Sequence, residues 1–188
     1  MIFPAIMGRE GRGNREFMEK NIVLTGFMGT GKTAVGRCLA DKTAMQYASI
    51  DEAIEAREKS PISEIFRLKG EKYFRKIERD MIKEFCSGKG RVIDCGGGAI
   101  VDAKNLKDLK ASGYVFCLWA EPDVIFKRVR ACSSRPLLNV EDPMKAIKEL
   151  LEKRKSSYMK ADFHIDTTNM RPEEVAEEIR RIVDAAGK

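Results

Sequence analysis

Residues 26–33 read Gly-Phe-Met-Gly-Thr-Gly-Lys-Thr and have the residue types and spacing that phosphate binding requires. Glycines let the backbone turn tightly enough for several N–H groups to point at one anion. The lysine at 32 can reach the β- and γ-phosphates of a nucleotide, and the hydroxyl of Thr33 can ligate Mg²⁺. We therefore predict a phosphate loop with nucleotide contacts from Gly29, Thr30, Gly31, Lys32, Thr33 and Ala34.

The segments on both sides of this loop have the patterns that a phosphate-loop fold requires. Residues 21–25 form an apolar run that is typical of a buried parallel strand. Residues 34–42 place Val35 and Leu39 at helical spacing. A glycine-rich turn that matched by accident would lack this order of strand, loop and helix. The loop is therefore interpreted as a nucleotide site.

Composition and charge favour a single globular domain that binds small anions. The chain has 188 residues, of which 43% are apolar and 34% charged, so it suits one domain with a core. No apolar stretch approaches the roughly 20 residues that a membrane span needs, and no membrane partner is expected. Five cysteines without Cys-x-x-Cys or metal-ligand spacing indicate a reduced, cytoplasmic protein. The net charge is +6, but the basic residues are interspersed with acidic ones and aromatic residues are few. This pattern argues against nucleic acid as a partner.

Apolar runs alternate with helical patterns from residue 20 to the end of the chain. Strands are predicted at 21–25, 47–51, 91–95, 114–119 and 163–166. Helices are predicted at 34–42, 52–59, 61–69, 71–85, 103–111, 122–130, 143–158 and 172–186, with Ser60 as the N-cap of the third. This alternation predicts an α/β fold, with a parallel sheet of about five strands and helices on both faces. Because ligands bind at the carboxyl ends of such strands, Asp51, Asp94 and residues 96–98 should meet the phosphate loop there.

The N-terminal segment has no clear period. Residues 1–19 contain Pro4 and mixed charges and lack the pattern of a secretion signal. We predict a flexible extension there, with Met18 as a candidate natural start, followed by one domain over residues 20–188.

A phosphate loop alone does not separate a kinase from a GTPase or an ATPase motor. The chain has no Asn-Lys-x-Asp guanine signature, and it is too short for a motor with partner domains. A small-molecule kinase fits the size best. Such an enzyme needs an acceptor pocket, an acid near the acceptor hydroxyl and arginines that hold charge.

A series of motifs along the chain narrows this class. They are the phosphate loop at 26–33, Asp51-x-x-Ile54-Glu55, Gly70-Glu71-x-x-Phe74-Arg75-x-x-Glu78, the glycines at 96–98, Arg135-Pro136-Leu137-Leu138, Arg154-x-x-x-Tyr158 and Asp166-Thr167-Thr168. Taken in this order, they resemble the shikimate kinases, relatives of the nucleoside monophosphate kinases. The resemblance covers the chain from about residue 20. It implies a single-domain, monomeric enzyme of aromatic amino acid biosynthesis that transfers the ATP γ-phosphoryl group to the shikimate 3-hydroxyl with Mg²⁺.

The resemblance also implies which residues bind the acceptor. Asp51 would hydrogen-bond the 3-hydroxyl and act as general base, a role that a carboxylate within reach of that proton can perform. Arg75 and Arg154 would hold the shikimate carboxylate, which matches the guanidinium fork. The glycines Gly96, Gly97 and Gly98 would line the acceptor pocket.

Further residues are implied on the nucleotide side. Arg135 would come from a mobile lid around residues 131–142 and, together with Lys32, would neutralise charge on the transferring group. Arg130 is predicted to bind ATP, with Arg128 as the alternative residue at the adenine. Arg171 is a further predicted nucleotide contact, although the family's arginine stands one position earlier, where this chain has Met170.

This chain departs from the family pattern at the metal. The family usually has an acid two residues before the base, where this chain has Ser49, and Ser or Thr where it has Asp94. Our hypothesis is that Asp94 supplies the missing carboxylate, so that Thr33 and Asp94 together hold Mg²⁺.

Two alternatives stay open. A kinase of the same fold for another small hydroxylated acid, such as gluconate, is the nearer one, and Asp51 with the paired arginines argues against it. The other is a non-catalytic nucleotide-binding paralogue, which the loss of the acid at Ser49 makes conceivable. Retention of the other acceptor residues argues against that alternative.

Overall fold

A parallel sheet of five strands lies at the centre of the computed structural model, which describes residues 20–130 and 140–186. The strands are β1 (Asn21–Gly26), β2 (Gln46–Ser49), β3 (Arg91–Asp94), β4 (Gly113–Trp119) and β5 (Phe163–Asp166). They are arranged in the order β2-β3-β1-β4-β5, and every neighbouring pair is parallel. The predicted α/β fold is confirmed. The predicted N-terminal extension, Arg135 and residues 131–139 of the predicted lid lie outside the described residues.

Helices connect successive strands and cover the sheet. They are α1 (Lys32–Thr43), α2 (Ile50–Glu58), α3 (Ile62–Cys86), α4 (Ala103–Ser112), α5 (Pro122–Arg130), α6 (Pro143–Tyr158) and α7 (Pro172–Ala186), with a 3-10 turn at Ala99–Val101. A break at Gly70, where φ is 78° and ψ is 169°, divides α3 at the boundary predicted between two helices. Among the described helices, none combines the length and the apolar character needed to cross a membrane.

Two apolar clusters show that helices cover both faces of the sheet. On β1, Ile22 and Leu24 pack with α1 and α7 on one face, whereas Val23 belongs to the cluster on the other face. Alternate residues of a strand point to opposite faces, so a strand that is buried on both sides must be continuously apolar. The apolar run that predicted β1 follows from this position.

Among the predicted boundaries that are wrong, two have a cause in side-chain contacts. Strand β2 ends at Ser49 rather than at residue 51, because the Ser49 Oγ accepts a hydrogen bond of 3.2 Å from the Glu52 N–H and caps α2. Asp51 therefore lies in the first turn of α2. Ser60 does not cap α3, which begins at Ile62 after the extended residue Pro61. Instead, a Glu55 carboxylate oxygen accepts the Ile62 N–H at 2.9 Å.

Candidate active site

The phosphate loop connects β1 to α1 and is packed directly against the neighbouring strand. Gly26 has φ of 129°, and a Cβ there would lie 2.1 Å from the Leu118 carbonyl oxygen on β4, so only glycine fits. The ammonium group of Lys32 donates to the carbonyl oxygens of Gly26 and Phe27, each at 3.0 Å. Lys32 therefore lies across the loop, with its charge held against the loop backbone.

The triple-glycine turn, residues 96–98, brings the predicted acceptor residues to this loop. A Cβ at Gly97 would lie 3.0 Å from the Gly26 carbonyl oxygen, so the turn contacts the phosphate loop. A Cβ at Gly96 would lie 3.0 Å from the Asp51 Oδ1, and one at Gly98 would lie 2.7 Å from the Arg75 guanidinium group. The acid and the arginine thus stand at opposite ends of one three-residue turn.

Helix α6 brings the second predicted arginine to the same turn. The Arg154 Nη1 donates to the Gly97 carbonyl oxygen at 3.2 Å, and the Tyr158 hydroxyl donates to the same oxygen at 2.6 Å. Burial raises the pKa of Tyr158 to about 12, so its hydroxyl keeps the proton that it donates. The Arg154 guanidinium carbon also lies 5.9 Å from the centre of the Phe27 ring in the phosphate loop.

Glu78 holds the arginine on α3, a role that sequence reasoning missed. Its side chain is 1% exposed and accepts a hydrogen bond from the Arg75 Nη1 at 2.8 Å. Arg75 also pairs with Glu71 at 3.1 Å. Burial raises the pKa of the Glu78 carboxyl, and the Arg75 charge opposes this shift. The spacing of three residues from Arg75, on a helix face that also buries Ile77, is the sequence signal that could have indicated the pair.

The predicted metal residues lie together on the other side of the phosphate loop. The Thr33 hydroxyl donates to the Asp94 Oδ2 at 2.8 Å, and the Tyr47 hydroxyl reaches the same oxygen at 3.0 Å. Asp94 is only 6% exposed. Burial and the Asp94 charge raise the pKa of Tyr47, which keeps its hydroxyl protonated. Sequence reasoning did not single out Tyr47.

These groups fit Mg²⁺. A carboxylate and a hydroxyl are the oxygen ligands that Mg²⁺ prefers, and protein sites usually give it one or two carboxylates plus substrate phosphates and water. In residues 20–130 and 140–186 there is no group of three or more His, Cys, Asp or Glu that could form a complete metal cage. Thr33 and Asp94 could therefore supply only part of a coordination shell, and nucleotide phosphates and water would have to supply the rest.

The arginines predicted for the nucleotide lie in different surroundings. Arg128 links the phosphate loop to the segment after β5, since it donates to the Gly29 oxygen at 3.3 Å and the Thr167 oxygen at 2.9 Å. Arg130 is exposed at the end of α5. Arg171 is exposed before α7 and pairs with Glu174 at 3.1 Å. Of these, Arg128 is the one in direct contact with the loop.

These features define a phosphate-loop kinase with a small-molecule acceptor. They are the order of the strands, the phosphate loop, and Asp51 with Arg75 and Arg154 at the adjoining turn. A family model described as shikimate kinase matches residues 28–184. The chain belongs to the shikimate kinase family, and the family predicted from its motifs is confirmed.

Individual relatives agree with this assignment. Shikimate kinase from Thermodesulfovibrio yellowstonii is 52% identical over 160 residues, which cover 85% of this chain and 92% of that protein. The enzyme of the same name from Caldanaerobacter subterraneus subsp. tengcongensis is 43% identical, with coverage of 86% and 95%. A solved structure of shikimate kinase from Acinetobacter baumannii in complex with shikimate has a TM-score of 0.88 and 34% identity, and covers 92% of this chain and 98% of that one.

Proposed function

We propose that this chain transfers the γ-phosphoryl group of ATP to the 3-hydroxyl of shikimate. The observation that carries the proposal is the convergence of Asp51, Arg75 and Arg154 on the triple-glycine turn, beside the phosphate loop. Shikimate has a carboxylate, which a pair of cationic side chains can bind, and hydroxyl groups, which an acidic side chain can bind. Both kinds of side chain must line the same pocket. The similar structure from Acinetobacter baumannii, which contains shikimate, supports this choice of acceptor.

Asp51 is the proposed general base. Its carboxylate lies against Gly96, where the missing side chain leaves room for a substrate hydroxyl to approach. A carboxylate at hydrogen-bond distance from the attacking hydroxyl can accept its proton as the phosphoryl group transfers. The helix dipole at the start of α2 also favours a negative charge at this position.

Arg75 and Arg154 are the proposed clamp for the substrate carboxylate. Arg75 is fixed by Glu78 and Glu71, and Arg154 by its hydrogen bond to the Gly97 oxygen. The planar guanidinium group can bind a carboxylate through two parallel hydrogen bonds, which a lysine cannot do.

We expect Arg154→Lys to raise the KM for shikimate by about 10- to 100-fold, because hydrogen bonds between charged groups contribute about 1.5–3 kcal/mol. The KM for ATP should change little, since the substitution removes an acceptor contact. Steady-state kinetics with each substrate varied in turn measures this difference. Lys153→Arg, an exposed change on the same helix, is the matched control. Equal rises in both KM values would contradict the assignment.

The phosphate side of the site consists of the loop and the partial metal site. Lys32 and the N–H groups of residues 29–34 would bind the phosphates of ATP, and Thr33 and Asp94 would hold Mg²⁺. When bound, Mg²⁺ supplies positive charge to the phosphate oxygens. Arg135 remains the proposed lid residue that neutralises charge on the transferring group, and Arg130 and Arg171 remain proposed nucleotide contacts.

The cytoplasm is the proposed compartment, and a monomer is the proposed state. Cys38, Cys86, Cys95 and Cys117 are all free thiols, as expected of a protein kept in a reducing environment.

A coupled assay of ADP release with shikimate, with gluconate and with no acceptor tests the proposed reaction. Turnover with shikimate alone is the expected result. Turnover with gluconate instead would favour the other kinase of this fold. ATP binding without any acceptor-dependent turnover would favour a non-catalytic paralogue.

A further inference from the structure

The Asp94 carboxylate receives two hydroxyl hydrogen bonds on one of its two oxygens. Thr33 and Tyr47 both reach Oδ2, at 2.8 Å and 3.0 Å, and Oδ1 receives neither bond. Two donors on one oxygen fix the rotation of the carboxylate more tightly than one donor does. They therefore also determine where Oδ1 points.

The two donors differ in their relation to the metal. Thr33 lies in the first turn of α1 and is itself a proposed ligand of Mg²⁺. Tyr47 lies on β2 and has no place in the proposed ligand set. Of the two, Tyr47 is therefore the donor that is not itself a proposed ligand of the metal.

The ring of Tyr47 is held in place by its surroundings. It packs against the apolar cluster between the sheet and helices α1 and α7. Gly36 on α1 leaves the necessary space, because a Cβ there would lie 2.8 Å from the Tyr47 Cε2. The Arg37 guanidinium group also lies 5.0 Å from the ring centre. A ring confined in this way directs its hydroxyl to one point.

We propose that Tyr47 is a positioning residue of the metal site, which orients Asp94 so that Oδ1 is presented to the Mg²⁺–nucleotide complex. The inference rests on the proposed role of Asp94 and adds the residue that holds it. Groups that hydrogen-bond a metal's protein partners orient them, and their loss typically lowers metal affinity 10- to 100-fold. A Tyr47 that served only to fill space would contribute through its ring and not through its hydroxyl.

Tyr47→Phe tests the inference, because it removes the hydroxyl and keeps the ring. In the full-length protein with ADP bound, Mn²⁺ affinity is measured by electron paramagnetic resonance, and ADP affinity is measured separately in EDTA. We expect about 10-fold weaker Mn²⁺ binding, unchanged ADP affinity in EDTA, and kcat close to that of the parent protein at saturating Mg²⁺. Tyr73→Phe is the matched control. Tyr73 lies on an exposed part of α3, and its hydroxyl donates to the Glu58 carboxylate at 3.0 Å.

Unchanged Mn²⁺ affinity in Tyr47→Phe would overturn the inference, and so would an equal loss in Tyr73→Phe. A matching loss of ADP affinity in EDTA would also overturn it, since that result indicates a disturbed phosphate loop. Asp94→Asn separates the role of Tyr47 from the role of Asp94. If it weakens Mn²⁺ binding and Tyr47→Phe does not, only the role of Tyr47 is wrong; if neither variant does, the assignment of Asp94 is wrong as well.

Discussion

Asp51→Asn is expected to lower kcat with shikimate by about 10²- to 10⁴-fold, the range that general acid–base catalysis contributes. Asparagine keeps the size of the side chain and its ability to hydrogen-bond the 3-hydroxyl, but it cannot accept the proton. The KM for shikimate should therefore change much less than kcat. The coupled ADP-release assay at saturating ATP measures both constants, and thermal unfolding checks that the variant is folded.

The neighbouring residue provides the matched control. Glu52 lies in the same turn of α2, but its side chain is exposed and pairs with Arg37 at 2.8 Å. Glu52→Gln should leave kcat within about twofold, because exposed ion pairs contribute little. A folded Asp51→Asn enzyme with nearly parental kcat would show that Asp51 only positions the acceptor. In that case proton transfer would not limit the reaction.

Much of the fold could be predicted from local patterns. Helices α5, α6 and α7 begin at Pro122, Pro143 and Pro172, and each has the predicted bounds. Proline at the first position of a helix marks its N-terminus because its missing N–H has no intrahelical partner to lose. Strand β5 also has its predicted bounds.

The junction of β2 and α2 could not be predicted because its residues fit both structures. Ile50 is fully buried and continues the apolar pattern of the strand, so the pattern extends β2 through it. The decisive contact is the Ser49 hydroxyl on the Glu52 N–H, which ends the strand and starts the helix. The start of α3 has the same kind of cause, since its cap comes from Glu55 on another helix.

The candidate site shows the same division between local and tertiary information. Asp51, Arg75 and Arg154 can be predicted because they stand in motifs. Glu78 and Tyr158 stand in the same motifs, but their roles depend on partners that only the fold brings to them. The Tyr158 hydroxyl, for example, binds the Gly97 oxygen, 61 positions away in the chain. Tyr47 had no motif at all, and only the contact with Asp94 reveals it.

Asp94→Ala is expected to raise the Mg²⁺ concentration for half-maximal turnover by about 10- to 100-fold, the range for losing a group that supports a metal site. Such a change would show that the metal-binding carboxylate, which the family usually has on β2, is supplied by β3 in this chain. The structure gives the physical basis, because Ser49 and Asp94 are register partners on adjacent strands. Register partners lie about 4.8 Å apart, so an acid at either position can serve one neighbouring ion.

This geometry allows a rescue experiment. Adding Ser49→Asp to Asp94→Ala should bring the Mg²⁺ concentration for half-maximal turnover most of the way back to the parental value, and the added aspartate can still cap α2. Gln46→Asp on the same background is the control, because it adds the same charge at the opposite, exposed end of β2 and should restore nothing. Titration of Mg²⁺ at fixed ATP and saturating shikimate distinguishes the three variants. An Mg²⁺ requirement in Asp94→Ala equal to that of the parent protein would exclude Asp94 from the metal site, whereas loss without rescue would mean that only β3 can present the carboxylate.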